Sequence, residues 1–119
     1  MKIIKKILLA LLVVFLAMQF YRPQRNVSET VPSTDLLLVE QPPAELANIF
    51  KSACYDCHSN NTKYPWYNNV APVSFLLADH VKEGKKHLNF SEWESYSAKK
   101  KAHKMEECIE EVKERHMPM

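Results

Sequence analysis

The sequence predicts one small all-α domain preceded by an apolar helix, and three observations lead there. The chain has 119 residues, the length of a single domain. It contains one glycine, Gly84, whereas sheet proteins mark their many turns with glycine. Its apolar residues recur three and four apart in segments opened by proline, the spacing of one helix face. A single glycine also excludes the dinucleotide-binding and P-loop fingerprints, which need several. With 46% apolar and 25% charged residues, the composition is that of an ordinary globular chain.

Residues 1–21 read as a signal or anchor helix. Lys2, Lys5 and Lys6 precede twelve unbroken apolar residues, Ile7 to Met18, and Phe20 and Tyr21 extend the run past Gln19. The 19 residues from Ile3 to Tyr21 approach the roughly 20 that cross a hydrocarbon core, provided the lysines snorkel. A cleavage site would show small residues in an A-x-A-like pattern, and Ala17, Met18, Gln19 supplies only the first. An uncleaved anchor is therefore favoured over a cleaved export signal. No cysteine precedes Cys54, which excludes a lipid-modified N-terminal cysteine. Lysines ahead of the apolar run hold that end in the cytoplasm, so the remainder is expected in the periplasm, tethered to the inner membrane.

Residues 22–41 mix proline, serine, threonine and charge without a period, apart from the run Leu36 to Val39, and are expected to be a tether. The tripeptides starting at Asn26, Asn60 and Asn89 fit the glycosylation pattern, a signal too short to carry weight. Residues 42–119 are the expected folded domain. Its first helix follows Pro42 and Pro43 and aligns Leu46, Ile49, Phe50, Ala53, Cys54 and Cys57. A second starts near Pro72, aligns Val73, Leu76, Leu77, His80 and Val81, and meets Gly84 where a C-terminal cap belongs. Ser91 and Glu94 make a capping box for a third helical region around Trp93. The last helix spans Ala98 to Arg115, with Ala102, Met105, Cys108, Ile109 and Val112 on its apolar side and a Glu111–Arg115 pair on its wet side.

The formal charge of +2 divides unevenly. Residues 1–25 hold five basic groups and no acid, so the rest carries 11 basic against 14 acidic side chains, or −3. A mildly acidic body is a poor binder of phosphate backbones, and nucleic acid is not expected as a partner. The 78 residues from 42 to 119 are few enough that an unaided core rarely supplies more than about 3–5 kcal/mol. A staple is needed.

Cys54, Tyr55, Asp56, Cys57 and His58 spell C-x-x-C-H, the attachment signature of c-type haem. With three cysteines and five histidines in this chain, chance would produce that spacing about once in five hundred. Positions 54, 57 and 58 project together from a helix, so both thiols can meet the vinyl groups while the imidazole reaches iron. A Cys54–Cys57 disulfide would constrain too tight a loop to hold 78 residues. A thioredoxin-like pair expects a βαβ setting, and a zinc site needs a second ligand pair at recognisable spacing.

These residues, with YPWY at 64–67, APVS at 71–74, LNFSEW at 88–93 and the Met117–Pro118 pair, make the stretch 42–119 resemble the small haem-binding domain of bacterial monohaem c-type cytochromes. The resemblance implies a cytochrome c-like helical domain around one haem c, thioethers from Cys54 and Cys57, His58 as proximal ligand and Met117 as distal ligand. The chain departs from that pattern in stopping at Met119, where relatives usually continue. Pro118 independently favours Met117 by biasing it away from helical geometry. His116, His80, His87, His103, Met119 and an open position stand as alternatives.

The sixth ligand decides the expected chemistry. A thioether fills both axial positions and suits an electron carrier, not an enzyme, whereas an open position would suit a peroxidase-like enzyme or a gas or redox sensor. A zinc- or disulfide-stapled interaction module without haem is the remaining alternative. Trp66 and Tyr67 are expected to pack on the porphyrin or reach its propionates, with closure of a minor core as the plain reading. The Nδ1 hydrogen of His58 is expected to meet a carbonyl from the 59–70 loop or near Pro72. Cys108 reads as a small apolar filler. The lysines at 82, 85 and 86 and at 99–101 and 104 read as solvated faces, with weak steering of an acidic redox protein as the functional alternative. A monomer is expected.

Overall fold

The computed structural model describes residues 1–118; Met119, one of the alternatives for the sixth position, lies outside them. Among the described residues all regular structure is helical, as expected: α1 (Lys2–Met18), α2 (Leu36–Val39), α3 (Ala44–Ala53), α4 (Tyr55–His58), α5 (Val73–His87) and α6 (Ala98–Lys113). Two 3-10 segments, Trp66–Asn69 and Phe90–Ser95, link them.

α1 buries none of its side chains, and the molecule measures 63 × 34 × 26 Å. Its 17 residues rise about 25 Å, against a hydrocarbon core of about 30 Å. No helix among the described residues is long and apolar enough to cross a membrane. The apolar run does not continue as helix to Tyr21 because Gln19 leaves it: its amide oxygen accepts from the Ala71 N–H at 2.9 Å and its nitrogen donates to the Ala71 carbonyl at 3.2 Å.

The segment expected to be a tether is docked along much of its length. Asn26 donates to the Ser59 carbonyl and Thr62 Oγ1, accepts from Lys85 Nζ, and gives its N–H to the Tyr64 hydroxyl, all at 2.7–2.9 Å. Further on, Asp35 caps α2 by accepting from Leu37 N–H at 2.9 Å and from the Tyr55 hydroxyl at 2.8 Å. Leu36 is 2% exposed and belongs to the core. Of the asparagines of the three glycosylation-like tripeptides, Asn89 is buried and Asn26 and Asn60 are half-buried, Asn89 donating to Asn60 side chain to side chain at 2.9 Å.

The helix expected after Pro43 breaks at Cys54, whose φ of −122° and ψ of −40° end α3 and begin α4. Cys54 donates to the Phe50 carbonyl, while its own carbonyl accepts from Cys57 and His58. α5 does not stop at Gly84 but runs to His87. Gly84 is required by contact instead: α5 crosses α4 there, and a Cβ would collide with the carbonyl of Cys57.

The capping box at Ser91 is also replaced. Asn89 caps the 3-10 turn by accepting from Ser91 N–H, and Ser91 Oγ accepts from Asn60 N–H. α6 starts at the Ser97 cap and ends two residues short of expectation. Arg115 takes a φ of 61°, donating to the Val112 carbonyl while His116 donates to that of Glu111, the two bonds of a Schellman motif. Arg115 is therefore outside the helix, and Glu111 faces His116 at 3.5 Å.

The core consists of Leu36, Leu88, Phe90 and Trp93, with Leu37, Phe50, Cys54, Tyr55, Tyr96, Met105 and Cys108 packed against it. Phe90, 1% exposed, is its centre. Tyr55 stacks on it at 5.6 Å, and Phe50 and His58 meet it edge-on at 5.3 and 6.2 Å. The core is thus built around the C-x-x-C-H segment.

Candidate functional site

Cys54, Cys57 and His58 come together where α3, α4, α5 and the 3-10 segment 90–95 meet. The hinge at Cys54 turns α4 so that its carbonyl accepts from the residues at 57 and 58, closing one helical turn that carries both thiols and the imidazole. All three side chains are half-buried. Burial pushes both thiols above their ordinary pKa, and the neighbouring Asp56 carboxylate adds to the effect on Cys57. Both are thiols, not thiolates, at neutral pH. Among the described residues the three cysteines are free and no group of three His, Cys, Asp or Glu side chains is placed to hold a metal ion.

His58 Nδ1 lies 2.9 Å from the carbonyl oxygen of Leu88. A carbonyl only accepts, so Nδ1 carries a proton, and the tautomer this selects is the one that leaves the Nε2 lone pair for a metal. The acceptor expected from the 59–70 loop or near Pro72 is therefore in the stretch following α5. The Leu88–Asn89 peptide is bonded at both ends, since its N–H donates to the Tyr96 hydroxyl at 2.9 Å. Phe90 holds the imidazole from the side.

This donor set fits a haem. Two neutral thiols stand one turn apart, beside an imidazole whose free nitrogen is Nε2. Apolar surface continues from them: Leu46 lies one turn before Phe50 on α3, and Ile109 and Val112 lie one turn after Met105 and Cys108 on α6, at 43%, 55% and 57% exposure. A flat apolar macrocycle needs such a surface.

Trp66 and Tyr67 pack on each other edge to face at 5.7 Å, 78% and 46% exposed, beside the start of α5. Twelve residues of α5, about 18 Å of helix, separate Pro72 from Gly84, the point where α5 touches Cys57. Met117 follows the Schellman turn, 37% exposed, its N–H donating to the Glu111 carbonyl. His116 points its Nδ1 at Glu111 and Glu114, 3.5 and 3.4 Å away, and His103 Nε2 meets Glu107 at 2.9 Å. Cys108 packs on the core as an apolar filler would, and burial, with Cys54 nearby, raises its pKa.

Sequence reasoning missed Leu88, Phe90, Asn89 and Tyr96 as parts of this site. The alternation of apolar Leu88 and Phe90 about Asn89, directly after a helix, was the available signal: extended backbone there aims its carbonyls sideways.

A family model described as "Haem-binding domain" matches residues 13–119. No curated protein and no solved structure matches the chain.

Proposed function

The chain belongs to the haem-binding domain family, and from that premise we propose that it is a monohaem c-type cytochrome passing single electrons between redox proteins outside the inner membrane. The observation that carries the reading is the His58 imidazole, its Nδ1 proton held by the Leu88 carbonyl and its Nε2 free, on the same helical turn as two unpaired thiols. In this reading Cys54 and Cys57 would hold the haem through two thioethers, each thiol supplying both the sulfur and the hydrogen that one vinyl group takes up, so that no external oxidant is needed.

When bound, the haem supplies an iron that changes charge by one electron. The chain's own residues do the rest. Leu88 fixes the tautomer and direction of His58, and Phe90 stops the imidazole from rotating. Burial keeps Cys54 and Cys57 protonated until they react. Met117 is the proposed sixth ligand, because His116 is turned toward two carboxylates while Met117 ends a segment already folded back on α6. Export rests on the lysine-flanked apolar run of α1, which the proposal retains as a signal or membrane tether.

The test uses the chain produced with a haem-attachment apparatus. Haem stain that survives a denaturing gel, and an intact mass higher by one haem, are expected; Cys54→Ser and Cys57→Ser should each weaken or abolish the stain. A colourless product with the bare polypeptide mass would end the proposal. Met117→Ala should replace the thioether-ligated spectrum with one that shifts on adding carbon monoxide. Rapid carbon monoxide binding to the unaltered ferrous protein would instead favour a gas sensor or peroxidase-like enzyme.

A further inference from the structure

Trp66 is 78% exposed, and nothing in the site asks for it. Its neighbours make a pattern. Phe20 and Tyr21, 91% and 69% exposed, directly follow α1, and Tyr21 packs on Phe75 at 5.6 Å. The turn that carries Trp66 is fastened to the same stretch. Asn69 Nδ2 donates to the Trp66 carbonyl at 3.0 Å, Arg25 donates to Asn69 Oδ1 at 2.7 Å, and Arg22 donates to the Asn69 carbonyl at 3.5 Å. Gln19 clamps Ala71 just beyond. Four exposed aromatic rings and two guanidinium groups thus cluster at the C-terminal end of a helix whose apolar side chains are exposed from Ile3 to Ala17.

Tryptophan and tyrosine concentrate at the level of lipid headgroups, where one part of the ring is apolar and the other wet. Guanidinium groups pair with phosphate there. Clustered exposed apolar rings mark a surface that meets something. A soluble partner would leave the continuity with α1 unexplained, whereas a bilayer covers both with one surface.

We propose that the Trp66–Asn69 turn seats in the headgroup layer of a phospholipid bilayer and, through its bonds to residues 19–25, holds the haem-binding domain at a fixed orientation to the membrane. The inference rests on reading α1 as the membrane segment. It gives Trp66 and Tyr67 a role at the membrane in place of contact with the porphyrin, and it replaces a free-swinging tether with a clamp.

The chain has two tryptophans, and Trp93 is buried with its indole nitrogen bonded to Glu40, so it is an internal reference. The haem-loaded ferrous protein is placed one chain per nanodisc of mixed phosphatidylcholine and phosphatidylglycerol, and lipid spin-labelled near the headgroup is added. Trp66→Phe assigns the two indole N–H signals. The Trp66 signal should broaden several-fold more than that of Trp93. Broadening of α1 methyl signals without Trp66 would overturn the seat and leave the anchor reading standing. If neither responds, both fail. Because each disc holds one chain, a second copy cannot produce the effect, and a Trp66 that responds only in discs holding two chains would assign the surface to self-association and overturn the proposal.

Discussion

Gly84 and Cys57 meet backbone to backbone: a Cβ built on Gly84 would stand 2.5 Å from the Cys57 carbonyl oxygen and 3.2 Å from the Cys57 Cβ. In an open helix, Gly→Ala would gain about 1 kcal/mol. Here the obstructing atom is backbone and cannot rotate away, so α5 must lift from α4 at a cost of about 1–3 kcal/mol. Gly84→Ala is therefore expected to lower the urea midpoint without changing its slope. A raised midpoint would show that the two helices part more easily than this contact implies.

Leu36 tests whether the segment before residue 42 belongs to the domain. It is buried against Trp93, Leu88 and Phe90. Leu36→Ala should cost about 2–5 kcal/mol by the usual cavity rule, measured by urea unfolding. An exposed linker would give a change within about 0.5 kcal/mol.

The chain without haem should lose stability in alkali. Burial, and next the hydrogen bond to Asp35, push the Tyr55 phenol above its ordinary value of 10, and burial raises the thiols of Cys54, Cys57 and Cys108 above theirs of 9. A folded pKa above the unfolded one favours the protonated native state, a contribution complete below the unfolded value and lost as pH rises beyond it. The unfolding midpoint should hold up to about pH 9 and then fall, with a second decline above about 10. Tyr55→Phe should remove the second decline and lower stability at neutral pH by about 1–3 kcal/mol, since Asp35 loses a donor. Haem attachment should shrink the first decline, because thioethers do not titrate.

Tyr96 acts on His58 through one peptide. Its hydroxyl accepts the Asn89 N–H while the Leu88 carbonyl of the same unit accepts from His58 Nδ1, and such chains strengthen cooperatively. A stronger acceptor makes the imidazole a more basic ligand and favours oxidised iron. Tyr96→Phe keeps the ring against Trp93 and should raise the reduction potential of the loaded protein, with faster hydrogen exchange at the Asn89 amide. Faster exchange with an unmoved potential would make Tyr96 a structural residue only.

How much of this was legible depends on whether the deciding interaction is local. The C-x-x-C-H turn, α5 and α6 follow from spacing that the chain displays over a few residues. The end of α5 did not, because a glycine suited to capping a helix is equally suited to a helix crossing, and only the position of Cys57 distinguishes the two. Asp35 before Leu36 was readable as a helix cap, yet four residues of helix give no period to detect. The acceptor for His58 is a carbonyl thirty positions away, and every residue has a carbonyl. Arg115 carries a good helix former into a left-handed turn because two carbonyls of α6 needed donors there.

The aromatic hub also sets an order of events. Synthesis makes the segment 54–58 more than thirty residues before Phe90 and Trp93 exist, so during that interval the imidazole has no partner for its proton and the thiols have no wall behind them. The segment 54–58 therefore stays open until the aromatic residues arrive and wall it off.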